Sequence, residues 1–186
     1  SLYMIKRLLY EFMGMVESER VEVYNEFSLQ HELGIFLRER LSGYKVQFER
    51  NTRFFGISGT IKHEIDNVVF NDLERYAVEL KYPVNGQYPE QMYSFVKDIV
   101  FMEQLKGNGF DATYCLIMVK DKNVCSGKKI DGIYAYFRRN EILGGTIEKP
   151  TGKSEESVAL GKRYKIKWEG ETKQLKYYIV DIDKSV

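Results

Sequence analysis

The chain has 186 residues, of which 44% are hydrophobic, 14% aromatic and 30% charged, and its formal net charge is +1. This length fits one domain, and the aromatic content excludes a disordered polar chain, which would lack the side chains that build a core. The near-zero charge excludes a polycation, so nucleic acid would have to bind through a local patch.

The cysteine count and the hydropathy pattern limit the cellular setting. Cys115 and Cys125 are too few for a disulfide framework or for a four-cysteine metal site. No stretch approaches the roughly 20 apolar residues of a membrane span. Residues 2–16 carry charges and no small-residue cleavage site, so they are not a secretory signal. We therefore expect a cytoplasmic protein that does not enter a membrane.

The N-terminal part of the chain predicts two helices followed by three strands. Apolar residues recur at helical spacing in two segments, and Ser28 is the predicted N-cap of the second helix. Strict alternation then indicates strands, and their short connections predict an antiparallel meander. The predicted helices are residues 2–16 and 28–41, and the predicted strands are residues 44–49, 61–70 and 75–82.

The next segments predict a crossover. Pro89 suits the first turn of a helix that ends near residue 106. Residues 112–119 are apolar at nearly every position, which indicates a strand buried on both faces and parallel to the strand before the helix. The remaining predicted elements are a helix at 130–139, an exposed loop at 144–161, and a closing hairpin of 164–168 and 175–182. The fold class is therefore α/β, with a mixed central sheet flanked by helices and a C-terminal β-hairpin.

Three polar residues stand out on the predicted strands. Glu79 and Lys81 lie two residues apart, so their side chains emerge on the same face. Asp66 lies on the preceding strand, where it can approach Glu79, and two such carboxylates repel unless a cation sits between them. Mg²⁺ is bound in this way, and Lys81 beside it would orient or deprotonate a water and stabilise charge on a phosphate. The alternative is that these are ordinary exposed strand charges, which contribute little.

Asp66 followed by Glu79-Leu80-Lys81, after a helix that carries Glu32, resembles the PD-(D/E)xK nuclease superfamily. That superfamily contains restriction endonucleases, repair nucleases and junction resolvases. Its restriction endonuclease-like αβββαβ core has the order predicted for residues 28–119. The resemblance implies a single nuclease-like domain over residues 1–186, in which 120–186 are additions to the core. No proline precedes Asp66, where the superfamily's name has one.

The resemblance also implies roles for individual residues. Lys81 would be the catalytic lysine, and Gln91 would begin a Gln-x-x-x-Phe version of the family's Gln-x-x-x-Tyr motif. Gln91 would contact a phosphate or the attacking water, or would simply cap its helix. The implied ligands of Mg²⁺, for which Mn²⁺ would substitute, are Asp66, Glu79, the carbonyl of Leu80, and Glu32.

The charge distribution agrees with a nucleic-acid enzyme. Residues 1–111 contain 13 basic and 17 acidic side chains, a net charge of −4, whereas residues 112–186 contain 15 and 10, a net charge of +5. Carboxylates would hold the ion and basic groups the phosphate backbone, although a solvated basic face explains any single residue equally well. The candidate phosphate contacts are Lys128, Lys129, Arg138, Arg139, Lys162, Arg163, Lys165 and Lys167.

These observations predict a Mg²⁺-dependent nuclease that hydrolyses DNA phosphodiester bonds. RNA as the substrate, and a homodimer or a larger nuclease system as the working assembly, are left open. The alternative function is a catalytically inactive protein of the same fold that binds nucleic acid or a protein partner.

Overall fold

The computed structural model describes residues 3–84, 86–152, 155–172 and 174–186. Leu2, where the first predicted helix begins, and positions 153 and 154 of the predicted loop lie outside the described residues. The helices are α1 (Met4–Glu17), α2 (Glu26–Arg40), α3 (Tyr88–Gly107), α4 (Lys122–Cys125) and α5 (Tyr134–Arg138), with a 3-10 helix at Thr52–Phe55. The strands are β1 (Lys45–Asn51), β2 (Glu64–Phe70), β3 (Arg75–Lys81), β4 (Ala112–Val119), β5 (Leu143–Glu148), β6 (Ser157–Tyr164) and β7 (Lys176–Asp181).

The central sheet has five strands in the order β1-β2-β3-β4-β7. The first three form the predicted antiparallel meander, and β4 pairs with β3 in parallel, as the crossover through α3 requires. Every residue of β4 is buried, which follows from its nearly uninterrupted apolar sequence and its place inside the sheet. The predictions of a mixed sheet flanked by helices, and of the order helix, three strands, helix, strand, are confirmed.

Two hydrophobic clusters lie against the central sheet. One is built from α1 and α2 and includes Phe12 and Leu29, both without exposed surface. The other is built from α3 and the β5–β6 pair and includes Phe95 and Phe101. None of the helices in the described part of the chain is both long and apolar enough to cross a bilayer.

Helix α2 begins two residues before the predicted start. Its N-cap is Asn25, whose Oδ1 accepts a hydrogen bond of 2.8 Å from the backbone N–H of Ser28. The Ser28 hydroxyl in turn accepts from the N–H of Asn25 at 3.0 Å, which completes a capping box. The prediction that Ser28 is the N-cap was wrong, because Ser28 is the third helical residue and supplies the reciprocal bond. The correction adds Glu26 to the helix.

The C-terminal predictions were partly wrong. The predicted loop at 144–161 contains most of β5 and β6, which form a separate two-stranded sheet. The apolar–polar alternation of these strands is short, because Gly144 and Gly145 interrupt it in β5 and charged residues end it in β6. The predicted hairpin is also absent among the described residues, because β7 pairs with β4 in the central sheet. Its one bridge toward the other predicted segment joins Tyr177 to Glu169, the residue just after that segment.

A glycine in α2 sets how closely the helix approaches the sheet. A Cβ added at Gly34 would overlap the ring of Phe48 on β1, whereas a Cβ at Gly14 of α1 would meet nothing within 4 Å. We expect Gly34→Ala to lower the free energy of unfolding by about 1–3 kcal/mol, because overpacking forces the helix off the sheet. Gly14→Ala is the matched control and should raise it by up to about 1 kcal/mol. Urea denaturation measures both, and equal effects would contradict the close packing.

Candidate functional site

Asp66 and Glu79 lie together where β2 and β3 diverge. Regular pairing of these strands ends at Asn67 and Val78. Beyond that pair the strands are linked through the two carboxylates. The N–H of Asp66 donates to Glu79 Oε1 at 2.8 Å, and the N–H of Leu80 donates to Asp66 Oδ2 at 2.8 Å. Each acid therefore holds the backbone of the other strand, and both are fixed at the strand ends.

The strand on the other side of Asp66 is also irregular. Glu49 of β1 has a φ of 52°, in the left-handed region that side chains other than glycine rarely adopt. Ile65 and Val68 are three residues apart, yet both pack into the cluster under α3. Strict alternation would place them on opposite faces, so β2 is distorted between them. Because of this distortion, the Asp66 side chain departs from the regular alternation of the strand and lines a cavity.

The cavity has a volume of about 150 Å³ and lies between the start of α2 and the ends of the strands. Gln30 crosses it, since its Nε2 donates to Glu49 Oε1 at 3.0 Å and to the carbonyl of Asp66 at 2.6 Å. Glu26 Oε1 accepts from the N–H of Tyr82 at 2.8 Å. The lining residues are Glu26, Phe27, Gln30, Glu49, Asp66 and Leu80.

Helix α2 contributes Glu26 and Gln30 to this cavity, and the predicted helical ligand Glu32 is not among its lining residues. Residues 26 and 30 lie about one turn apart on the same face of the helix, whereas Glu32 is rotated roughly 200° from Gln30. The structure therefore does not bring Glu32 to Asp66 and Glu79. Glu26 could have been found as an acid in the first turn of α2, but the predicted helix began at residue 28 and so left Glu26 outside it.

Two lysines and a buried aspartate complete the site. Lys62 Nζ donates to Glu79 Oε2 at 2.6 Å and to Asp98 Oδ1 at 3.0 Å. Lys81 Nζ donates to the Ser94 hydroxyl at 2.8 Å and lies 3.2 Å from Asp98 Oδ2. That second contact is ionic without hydrogen-bond geometry, because Asp98 Oδ2 has no hydrogen-bond partner. Lys81 is thus held by α3, and Lys62 rather than Lys81 is paired with Glu79.

Sequence reasoning missed Lys62 and Asp98, although both left a signal. Asp98 lies three residues after Phe95 and four before Met102, so a charged residue interrupts the apolar stripe of α3. Charged residues are rarely buried on a helix face unless they are paired. Lys62 precedes Asp66 by four residues, which puts both on one face of the predicted strand.

Gln91 lies in the first turns of α3, three residues before Ser94, and is half-buried. Helical spacing places it on the same face of the helix as Ser94, the residue that contacts Lys81. Its predicted contact with a phosphate or the attacking water stays a prediction.

Burial and mutual repulsion raise the pKa values of Asp66 and Glu79. Burial is the main cause that raises the pKa of Asp66 to about 6, opposed by the Leu80 N–H and by Lys62, with the charges of Asp98 and Glu49 raising it further. Burial, then Asp66 and Asp98, also raises the pKa of Glu79 well above its ordinary value. Two carboxylates with raised pKa values are what a cation would bring back to the charged form.

The pKa values of the two lysines are also raised, but against the effect of burial. Burial by itself would lower the pKa of Lys81, but the carboxylates of Asp98 and Glu26 more than offset burial, and the net pKa is raised. Asp98 and Glu79 likewise raise the pKa of Lys62 against the effect of burial. Both lysines are therefore ammonium ions at neutral pH.

The site is rich in carboxylate oxygens. Five carboxylates face two ammonium groups, and oxygen ligands of this kind suit Mg²⁺. Asp66 Oδ1 accepts no hydrogen bond from the residues that the structure describes, and so remains available as a ligand. Over the same residues, no three His, Cys, Asp or Glu side chains already stand at metal-ligand spacing. Lys62 occupies Glu79 Oε2 instead. The acids are Glu26, Glu49, Asp66, Glu79 and Asp98.

Two of the residues predicted to contact phosphate, Arg138 and Lys162, instead donate hydrogen bonds to backbone carbonyls of the protein. The Arg138 guanidinium donates to the carbonyls of Asn123 and Lys129 and lies 4.4 Å from the Tyr134 ring centroid. Lys162 Nζ donates to the carbonyl of Ile182 at 3.0 Å. The exposed members of the predicted set are Lys128, Lys129, Arg139, Lys162, Arg163 and Lys167.

Comparison of the chain with protein-family models, with curated proteins and with solved structures gives no match. What the site does is therefore inferred from its own residues.

The raised pKa of Asp66 predicts an unusual dependence of stability on pH. Between its ordinary value of 3.8 and about 6, the folded protein binds more protons at Asp66 than the unfolded chain does. The contribution of Asp66 to stability therefore falls as pH rises through this window. In EDTA, we expect Asp66→Asn to gain stability relative to wild type between pH 4 and pH 7, by up to about 3 kcal/mol. Urea denaturation at several pH values measures this difference.

Glu74→Gln is the control with the opposite sign. Hydrogen bonds from Tyr44 and Tyr76 lower the pKa of Glu74, so Glu74 stabilises the folded state above its unfolded pKa, and this contribution is lost as pH falls. Wild type should therefore gain relative to Glu74→Gln as pH rises. A difference between wild type and Asp66→Asn that stays flat with pH would contradict the assignment.

Proposed function

We propose that this chain is a Mg²⁺-dependent nuclease that hydrolyses DNA phosphodiester bonds and has a restriction endonuclease-like fold. The observation that carries the proposal is the pairing of half-buried Asp66 with buried Glu79, which meet where β2 and β3 diverge, with Lys81 two residues beyond Glu79. The order of α2, β1–β3, α3 and β4 supports it, because it is the αβββαβ order of that fold.

The residues that would hold Mg²⁺ are Asp66, Glu79 and the carbonyl of Leu80, with Glu26 or Gln30 in place of the predicted Glu32. When bound, the ion supplies charge stabilisation for a phosphate and an acidified water. Mn²⁺ offers the same preference for oxygen ligands and would substitute.

Lys81 acts in this scheme as an ammonium ion. Its raised pKa disfavours a role as the base that deprotonates water, so it orients the water and stabilises negative charge on the phosphate. Ser94 and Asp98 are positioning residues, because they hold Lys81 Nζ from the side of α3. The chemistry thus needs α3 as well as the strands.

The entrance of the cavity suits a nucleic acid. Phe27 lines the cavity and is 79% exposed, which leaves a ring face free for a base. Stacking of bases on exposed aromatic side chains tolerates any sequence. The basic C-terminal part provides exposed lysines and arginines for the backbone phosphates, although their charge alone does not select DNA over RNA.

A cleavage assay tests the proposal. Plasmid DNA, linear DNA and RNA are each incubated with the protein in Mg²⁺, in Mn²⁺ and in EDTA. We expect cleavage of DNA in either ion and none in EDTA. Titration calorimetry with Mn²⁺ should show binding that Asp66→Asn removes. Absence of both cleavage and Mn²⁺ binding would overturn the proposal.

The second candidate is a nuclease-fold protein that binds nucleic acid without cutting it. The observation in its favour is the ion pair between Lys62 and Glu79, which fills one ligand position with an ammonium group. In this case DNA would bind equally well in EDTA and in Mg²⁺, and calorimetry with Mn²⁺ would show no signal that depends on Asp66.

A further inference from the structure

Lys62 is an internal cation inside the carboxylate cluster. Its Nζ lies 2.6 Å from Glu79 Oε2 and 3.0 Å from Asp98 Oδ1. Glu79 and Asp98 are only 1% and 2% exposed. One ammonium group therefore bridges two buried acids, as a divalent cation would, and neutralises part of a repulsion that is otherwise costly.

The backbone around Lys62 is anchored, but its ammonium group has a route to solvent. The N–H of Thr52 donates to the carbonyl of His63 at 2.8 Å, and the N–H of Ile61 donates to Gln104 Oε1 at 2.8 Å. Both neighbours of Lys62 are therefore fixed. The Lys62 side chain itself is 33% exposed and has a flexible four-carbon stem. Rotation about side-chain bonds is enough to carry the ammonium group away from Glu79.

We propose that Lys62 occupies the cation position on Glu79 in the absence of metal and is displaced into solvent when a divalent cation binds to Asp66 and Glu79. This inference rests on the proposed function. The physical reason is that an ammonium group 2.6 Å from a ligand oxygen repels an ion bound to the same carboxylate. Lys62 thus lowers the affinity for the metal and keeps the buried acids compensated without it.

Titration calorimetry with Mn²⁺ compares wild type with Lys62→Met, which keeps the apolar stem and removes the charge. We expect Lys62→Met to bind Mn²⁺ at least about tenfold more tightly, because the competing charge is gone. Lys106→Met is the matched control, since Lys106 is also partly exposed and pairs with an acid, Asp183, away from the site. Its affinity for Mn²⁺ should equal that of wild type.

A measurement on wild type keeps the proposal testable if Lys62→Met folds poorly. Lysine acetylation by a water-soluble reagent is followed by mass spectrometry at Lys62, with and without Mn²⁺. We expect acetylation of Lys62 to accelerate severalfold when Mn²⁺ is bound, because the amine then loses its two carboxylate partners and becomes accessible. Lys106 should react at an unchanged rate.

The outcomes separate the two proposals. Mn²⁺ binding by wild type with neither tighter binding by Lys62→Met nor faster acetylation of Lys62 overturns the role of Lys62 and leaves the proposed function standing. No Mn²⁺ binding by wild type or by Lys62→Met overturns the proposed function itself. Binding of Mn²⁺ by Lys62→Met but not by wild type overturns the displacement, because the ammonium group then stays on Glu79 even when Mn²⁺ is present.

Discussion

Replacing Asp66 by Asn, or Lys81 by Met, is expected to reduce Mg²⁺-dependent DNA cleavage by at least about 100-fold. Asp66→Asn keeps the shape of the side chain but removes the charge that would hold the ion. Lys81→Met keeps the length of the side chain but removes the ammonium group between Ser94 and Asp98. Plasmid cleavage rates at saturating Mg²⁺ measure both effects.

Glu32→Gln is the matched control for these variants. Glu32 lies on α2, but it is rotated away from the cavity that Glu26 and Gln30 line. Cleavage by Glu32→Gln should therefore stay near the wild-type rate. Loss of activity in Glu32→Gln would show that the working site includes a helical acid that the cavity does not contain. Cleavage that survives both Asp66→Asn and Lys81→Met would overturn the site.

Replacing Phe95 by Ala is expected to lower the free energy of unfolding by about 3–5 kcal/mol. Phe95 has no exposed surface, and its ring packs edge-on against Phe137 with centroids 5.7 Å apart. Removing it leaves a cavity between α3 and α5. Urea denaturation measures the loss. The result bears on the Gln-x-x-x-Phe pattern, because it assigns the aromatic member of that pattern to the core.

Phe27→Ala is the matched control for Phe95→Ala, because it makes the same substitution at an exposed position. Because Phe27 is 79% exposed, its removal should change the free energy of unfolding by less than about 0.5 kcal/mol. Any effect of Phe27→Ala should instead fall on binding of DNA. Equal losses of stability in Phe95→Ala and Phe27→Ala would contradict the packing of α3.

The elements that the sequence predicted well have patterns set by burial. Strand β4 is apolar at nearly every position because it lies inside the sheet, and the apolar residues of the α3 face that packs on it repeat with helical spacing. The β5–β6 pair was missed because Gly144 and Gly145 interrupt the alternation of β5, and the alternation of β6 ends in charged residues after Leu160. Half-buried strands with glycine carry a weak period-two signal.

The residues of the site also fall into those that local patterns predicted and those that they did not. Strand alternation alone put Glu79 and Lys81 on one face, and a short connection put Asp66 near Glu79. The partners of these residues come from other elements, and spacing along the chain does not show which residues they pair with. Lys62 reaches Glu79 from a loop, Asp98 reaches both lysines from α3, and Gln30 reaches Asp66 from α2.

The sequence by itself therefore determined the order of the core elements. It also placed Asp66, Glu79 and Lys81 at the ends of two strands, because periodicity and short-range spacing are local properties of the chain. The net charge of +1 is an average over the whole chain, and it does not reveal the cluster of acids and lysines at the site. Only the tertiary structure gathers Glu26, Glu49 and Asp98 around Asp66 and Glu79 and adds Lys62 as their counterion. Charges interact through space over a few ångströms, whatever their separation along the chain.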